Sequence, residues 1–452
     1  MVDIFPQGVY NVCVIVGKYT QKCRYRKGAG KVKILIISHN ALSTYNNMGK
    51  TLLSLFSAFP REQLCQLFVH PAPPNVDQCQ SYWRITDKQV LKGVMTFSHP
   101  GSSLTADPAA PMPAAANEAK SRSLPLARLG RDALWKLSRW YSPALKTWLA
   151  EQKPTCIFLA PGYAKFIYDV ALKISRDLHI PIVTYICDDY YFVKTPKGLL
   201  ARYQHRLLQR KMDKTMAKTC HLVGICPEIL APYMEKFGLA GTEIMTGASF
   251  SAQRRPEHGG EGAVFSYFGN VGCNRYVNLA LLGKTLDDIN AATGLRHRLE
   301  IYTGEQRQEV VDAFAGIESV VMGGFISPDQ VREKTLASDF LVHTEAFDAE
   351  SVDRVKNSVS TKIADSLACG IPLVAYGPAN VASMAHLIRY DCAFIATDPS
   401  QLRPMLDKAL SDGHYFQQIV DNALATAKNC HDAHANSQKL MAILQKAGEG
   451  CE

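Results

Sequence analysis

Short apolar runs recur along the chain, each closed by a polar or glycine-bearing turn and followed by a stretch in which apolar residues fall at helical spacing. Lys33-Ile34-Leu35-Ile36-Ile37 is the first run, and residues 66–70, 156–160, 181–186 and 221–226 continue the series. An unbroken run of this length suits a parallel strand buried on both faces. Residues 51–59, 168–178 and 227–237 carry the helical period between them. A second series begins at 264–270 and continues with 299–304, 320–325, 340–342, 373–376 and 393–396, with helices expected up to 337 and over 402–411 and 414–430. Alternation of this kind predicts an α/β protein with parallel sheets. The polar segment 251–262 divides it into two doubly wound lobes, 31–250 and 263–430. Residues 1–30, ending in a basic run, read as a leader, and 431–452 form a C-terminal tail.

The densest signal is residues 358–378. Ser360 or Thr361 is placed to cap a helix starting near Lys362, because a side-chain oxygen there satisfies a free amide. Ile363, Ala364, Leu367 and Ala368 form its apolar face, Gly370 and Pro372 stop it, and Leu373–Tyr376 reads as a buried strand before a Gly377-Pro378 turn. A helix N-terminus presents free N–H groups and partial positive charge. Lys362 adds a full charge, and Asp365 lies nearly on the same face. A cation beside amides, with a carboxylate behind, fits a nucleoside diphosphate whose ribose hydroxyls donate to the carboxylate.

Composition narrows the classes. With 47% hydrophobic residues over 452, the chain can fill two sizeable cores. The net charge of +9 is spread along the sequence. It therefore does not point to a nucleic-acid partner, and an anionic membrane surface or anionic substrates suit it as well. The 13 cysteines include no Cys-x-x-Cys pair. Those at 156, 187, 226 and 369 fall in predicted elements and read as buried, reduced thiols of a cytoplasmic protein, not as disulfides or a metal site. No apolar run is long enough to cross a membrane. Residues 120–148 are distinctive, because Arg122, Arg128, Arg131, Lys136, Arg139 and Lys146 alternate with apolar residues and three of the four tryptophans fall here. Such a stretch fits a membrane interface or a lipid-linked phosphate. It equally fits a helix packed on its own lobe with a solvated basic face.

Ligands of doubly wound domains sit at the carboxyl ends of strands. In the first lobe that edge offers His39 and Asn40, then the loop residues Asn46, Asn47, Gly49 and Lys50. Gly49-Lys50-Thr51 has part of a triphosphate-binding loop, but the required earlier glycine is replaced by Thr44. After the run at 181–186 come Asp188 and Asp189, which suit orienting an acceptor hydroxyl, taking its proton, or capping the next helix.

The stretch Ser358–Pro378 resembles the donor-nucleotide motif of GT-B glycosyltransferases, particularly the large family-4-like group (glycosyl transferases group 1). There a Glu shortly before a small-small-Gly ending holds the nucleotide ribose; Asp365 stands at that position here. The family's second Glu, eight residues earlier, is replaced by Asn357, and Glu345 is the alternative counterpart. Val264–Phe268 with Gly269 and Asn270 resembles the first strand and glycine turn of the family's donor lobe, and Arg275 follows where a basic residue often meets the donor diphosphate. The resemblance implies two facing Rossmann-like lobes with a cleft between them and a C-terminal segment crossing back to the first lobe. It implies transfer of a sugar from a nucleoside-diphosphate sugar to a hydroxyl of a glycan or lipid-linked acceptor, with retention, without a metal or other cofactor, and in polysaccharide or cell-envelope synthesis. The protein would be cytoplasmic, with peripheral contact at the inner membrane face through 120–148. Lys362 and Arg275 would stabilise the departing diphosphate, helped by Ser360 and Thr361. Asp365 would hold ribose, Gly323 would lie in the base-binding loop, Glu345 would contact the donor sugar, and Asp188 or Asp189 would position the acceptor. A sugar-nucleotide epimerase, a non-catalytic nucleotide-sugar binding protein and a triphosphatase are the rival readings.

Overall fold

The computed structural model describes residues 32–44, 46–107, 125–193, 198–249 and 262–450. The leader 1–30 and nearly all of the linker 251–262 lie outside these. The first sheet contains β1 (Ile34–Ser38), β2 (Leu64–Phe68), β3 (Ser81–Arg84), β4 (Ser102–Leu104), β5 (Cys156–Ala160), β6 (Ile182–Ile186), β7 (Thr219–Gly224) and β8 (Gly241–Glu243), in the order β4-β3-β2-β1-β5-β6-β7-β8. The second contains β9 (Val264–Phe268), β10 (Arg298–Tyr302), β11 (Val320–Met322), β12 (Phe340–Thr344), β13 (Leu373–Tyr376) and β14 (Phe394–Ala396), ordered β11-β10-β9-β12-β13-β14. All pairings are parallel except β3 with β4.

Every residue of β1, β2, β5, β6 and β13 is buried, which is why these strands read as continuous apolar runs. Three strands departed from the expectation. β3 and β4 were not anticipated, and β8 follows β7, which was expected to be the lobe's last strand. All three are short, β4 and β8 are polar, and β4 (Ser-Ser-Leu) pairs antiparallel with β3 at the sheet edge. Each sheet has one point where the strand order reverses, between β1 and β5 in the first and between β9 and β12 in the second. In such sheets the crevice at that point is where ligands bind.

The last helix, Ala433–Glu449, lies against the first lobe. Its Leu440, Leu444 and Ala447 join a core with Ile34, Phe56 and Phe158. Asn436 Nδ2 donates to the Met245 and Cys430 carbonyls at 3.0 and 2.8 Å, tying this return to the segment that leaves β8. Gly247 passes so close to Ala433 and Ser54 that a side chain there would overlap both.

The carboxyl edges of the two sheets face one another. Ser358 Oγ donates to Asp188 Oδ1 at 3.1 Å, and Asn357 Nδ2 donates to Asp189 Oδ2 at 3.0 Å, both across the lobe boundary.

Candidate active site between the lobes

At the switch point of the second sheet, four residues converge. β9 ends in Gly269, whose φ of +129° favours glycine, and a β-carbon there would strike the Lys362 ammonium. Cys273 and Asn274 then take left-handed φ angles of 53° and 54° and deliver Arg275 as the first residue of the helix Arg275–Thr293. Arg275 Nε and Nη2 donate to Glu345 Oε2 at 2.9 and 2.8 Å. Glu345 directly follows β12 and is 2% exposed. Asn278 Nδ2 fixes this turn by donating to the Glu345 carbonyl at 2.8 Å and to Thr344 Oγ1 at 3.1 Å.

The electrostatics follow from enclosure. Burial pushes the Glu345 carboxyl up, against the pull of Arg275. Burial alone would lower Arg275, but Glu345 holds it above its ordinary value. Burial drives the neighbouring His343 imidazole down to about 3, helped by Arg275 and Lys362. Solvent reaches the Lys362 side chain, yet protein surrounds its ammonium in the cleft. Desolvation and then Arg275 bring it down to about 8, against the opposing effect of Glu345. Arg275 takes the Glu345 carboxylate and Lys362 stands near it as a second cation, a setting that suits an added anion.

Glu345 was expected to contact the donor sugar. Its carboxylate is instead buried against Arg275, because a guanidinium inside the protein needs a partner more than the open cleft does. Ser360 and Thr361 were expected to cap the helix Lys362–Ala368. Neither side chain makes a cap bond, since Thr361 already has helical backbone angles, and the Ser360 amide donates to Ser383 Oγ at 3.0 Å. Asp365 lies one turn on from Lys362, and its Oδ1 accepts from the Ser249 amide at 2.6 Å and Ser249 Oγ at 2.8 Å, where the chain leaves the first lobe. Asn270 turns the chain after β9, its Oδ1 accepting from the Gly272 amide at 2.5 Å. Gly323 follows β11, and a side chain there would overlap the Tyr302 ring, itself stacked on Phe268 at 5.1 Å. Phe325, which the sequence reading did not single out, is 74% exposed beside Gly304 at this edge.

The two adjacent acids have separate environments. Asp189 is saturated: it accepts from the Tyr191 and Phe192 amides at 3.0 and 2.9 Å, from Tyr233 Oη at 3.1 Å and from Asn357. It holds the turn after β6. Among the described residues Asp188 accepts from Tyr190 Oη and Ser358 Oγ, both at 3.1 Å, and it is exposed at the cleft. Desolvation raises its pKa, partly offset by those two hydroxyls.

At the switch point of the first sheet, His39, Asn40, Pro161, Gly162, Tyr163 and Tyr190 line a cavity of about 290 Å³. A larger one, about 690 Å³, adjoins it and shares His39, Arg131, Tyr163 and Ala164. Asn46, Asn47, Gly49 and Lys50 were expected in a loop. The helix already starts at Asn47, because Asn46 Oδ1 accepts from the Gly49 amide at 2.6 Å and caps it. The Lys50 amide is likewise spent on the Asn46 carbonyl at 3.0 Å. This turn therefore offers no amide cradle for a triphosphate, and its contribution to the smaller cavity is Met48.

The basic, tryptophan-bearing stretch forms the helices Pro125–Leu137 and Pro143–Gln152. Trp135 stacks on Phe166 at 3.9 Å and donates to Asp87 Oδ1 at 2.7 Å. Trp148 is buried beside Trp83 and donates to Ser81 Oγ at 2.7 Å. These two indoles are core residues, so they are not available as membrane anchors. No helix among the described residues is long and apolar enough to cross a membrane.

Solved structures share this architecture. The chain has the GT-B fold. Sucrose-phosphate synthase from Thermosynechococcus elongatus superposes with a TM-score of 0.60 at 12% identity, over 92% of this chain and 99% of that one. HepE from Anabaena, solved in complex with UDP, gives 0.59 at 13% identity over 92% and 100%. The α,α-trehalose-phosphate synthase (UDP-forming) from Burkholderia xenovorans gives 0.55 at 10% identity over 91% and 100%. No family model matches the chain, and no curated relative does. The β9/β12 crevice lies in the second lobe of this fold and the β1/β5 crevice in the first.

Proposed function

We propose that the protein is a glycosyltransferase that moves a sugar from a nucleoside-diphosphate sugar to an acceptor hydroxyl. The observation that carries this reading is the pair of cations at the second switch point, Arg275 held by Glu345 and the Lys362 ammonium against Gly269. In the reaction, the acceptor oxygen bonds to the anomeric carbon while the bond from that carbon to the diphosphate oxygen breaks, its electron pair staying on the diphosphate. The acceptor proton passes to that departing oxygen, and the configuration is retained. Charge grows on the diphosphate as the bond breaks, and Lys362 with Arg275 stabilises it. In this scheme Glu345 acts as a positioning residue for Arg275. Asp188 orients the acceptor hydroxyl, Asp365 serves ribose by exchanging its bonds with Ser249, and Phe325 offers a face to the base. Cavities in the first lobe favour transfer over epimerisation, which needs no acceptor site.

The HepE structures contain UDP or UDP-glucose, so uridine nucleotides are the first donors to try. Since the two side chains supply the cationic charge, turnover is expected to persist in EDTA. The test is release of nucleoside diphosphate from a panel of nucleotide sugars. We expect slow release without acceptor, faster release with it, and at least a tenfold loss in Lys362→Ala; equal release by that variant would overturn the assignment. We place the acceptor in glycan or cell-envelope synthesis in the cytoplasm. Peripheral membrane contact would rest on exposed Leu137, Met95 and Phe97 with Lys136 and Arg139 beside them. Co-sedimentation with anionic vesicles, lost in Phe97→Ser, would support it.

A further inference from the structure

One buried polar group of the cleft has no task in the transfer scheme. His343 lies near the end of β12, where side chains alternate between the two faces of the sheet. Phe340 and Val342 belong to the core of the second lobe on one face, whereas Leu341 packs with Ile363, Leu367 and Ala375 beneath the helix Lys362–Ala368. His343 shares the latter face. The β9–β12 ladder ends at Leu341, so His343 and Glu345 stand in the crevice beyond it.

Among the described residues, His343 Nε2 is buried and makes no hydrogen bond. It faces Glu345 Oε1 at 3.5 Å, longer than a formed bond. The ring is neutral, since burial with Arg275 and Lys362 drives its pKa to about 3. A bare nitrogen here would set its lone pair against that of the carboxylate, so Nε2 is the nitrogen that carries the proton. An N–H left unbonded inside a protein costs free energy. This one stands beside a carboxylate whose other oxygen is the one engaged, because Arg275 Nε and Nη2 both bond Oε2.

The three side chains differ in freedom. Glu345 is pinned through its main chain: its amide donates to the Tyr376 carbonyl at 3.1 Å, its carbonyl accepts from Asn278 at 2.8 Å, and a side chain at Gly377 would press on its backbone. His343 is held in the β12–β13 ladder opposite Ala375. Arg275 is the first residue of its helix, and its side chain is 20% exposed against 3% for Glu345. Arg275 is therefore the member able to turn toward an anion in the cleft, while the carboxylate and the imidazole stay.

We infer that His343 is a positioning residue for donor capture: as the diphosphate draws the Arg275 guanidinium toward itself, the Nε2–H of His343 closes on Glu345 Oε1 and keeps that carboxylate satisfied and in place. This rests on the glycosyltransferase reading and adds the residue that compensates Glu345 while Arg275 serves two anions. The guanidinium keeps a bond on Oε2 and turns its outer edge, with two parallel donors, to the phosphate oxygens. No proton changes hands, so this residue adds no pH dependence to donor affinity.

The test is calorimetric titration of a nucleotide-sugar panel, beginning with UDP-glucose, together with thermal unfolding of each free protein. Nε2 contributes no bond to the free protein, so His343→Leu should leave Tm unchanged or raise it. In the same variant, affinity for the nucleotide sugar should fall at least about tenfold, the scale of one hydrogen bond to a charged group. His343→Gln, whose amide N–H reaches about as far as Nε2, should recover most of that affinity. In a Glu345→Gln background, His343→Leu should cost about twofold at most, because no carboxylate charge remains to compensate. Undiminished affinity in His343→Leu, or a loss of the same size in the Glu345→Gln background, would overturn the inference. If His343→Leu does not fold, His343→Gln and His343→Asn decide: wild-type affinity in the first with loss in the second supports the inference, and equal affinities overturn it. Binding of no nucleotide sugar by the wild-type protein is a separate result, which would overturn the transferase reading itself.

Discussion

Lys362 is the residue on which the proposed donor site turns. Its ammonium has a pKa of about 8, below the ordinary lysine value. The unfolded chain therefore binds more protons than the folded one between about pH 8 and the ordinary value. The lysine's destabilising contribution is present below pH 8 and fades as the pH rises through that window. For an anionic ligand the sign is opposite. Affinity for a nucleotide sugar should be level below about pH 8 and fall above it, as the lysine loses its proton before binding. In Lys362→Met that fall should disappear, which a pH series of titrations would show. Buried Glu345 pairs with half-buried Arg275, and truncating one member leaves the other charge unpaired. Glu345→Ala should cost roughly 3 kcal/mol of stability in urea unfolding, with Glu345→Gln milder and weakening donor binding through a less firmly held Arg275. Lys362 was legible in the sequence because its setting of turn, helix, stop and strand is local. The Arg275–Glu345 pairing was not, since its partners lie far apart in the chain and meet only at the crevice. Likewise nothing local distinguishes Asp188 from Asp189. The distinction comes from the folded turn, which brings the Tyr191 and Phe192 amides to Asp189, and from Tyr233 and Asn357, which reach it from other elements.

Among the elements, the buried strands announce themselves by uninterrupted apolar runs, whereas β4 and β8 depend on a neighbour's edge and leave little trace in sequence. The tryptophan stretch shows the same limit. Its periodicity marks an amphipathic helix, but which side faces inward depends on Phe166, Asp87 and Trp83 contributed from elsewhere. At the start of the helix Asn47–Leu55, Asn46→Ala should cost about 1 kcal/mol through loss of the cap and leave donor affinity unaltered. Thermal unfolding and a nucleotide titration on the same variant would check both halves. Gly269→Ala has the opposite profile. It forces a side chain against the Lys362 ammonium at a φ suited to glycine, so donor affinity should fall about as far as in Lys362→Ala.

At the scale of the molecule, two Rossmann-like lobes meet edge to edge and are tied by the final helix. Ser249, where the chain leaves the first lobe, is bonded to Asp365 in the second, so under the proposed reading ribose binding and lobe geometry would share one carboxylate. The two-lobe plan was readable from the double series of strands and the polar break between them. The facing of the lobes was carried by resemblance, and the bonds from Asn357 and Ser358 to the two aspartates give it physical form. The most direct test of the central claim is a thermal-shift panel of nucleoside diphosphates on the wild-type protein and Lys362→Ala. A ligand that binds only the folded state at a hundred times its dissociation constant adds about 2.7 kcal/mol. A clear rise in Tm with one diphosphate, and its loss in the variant, is expected. No rise with any diphosphate, or an equal rise in both proteins, would contradict it.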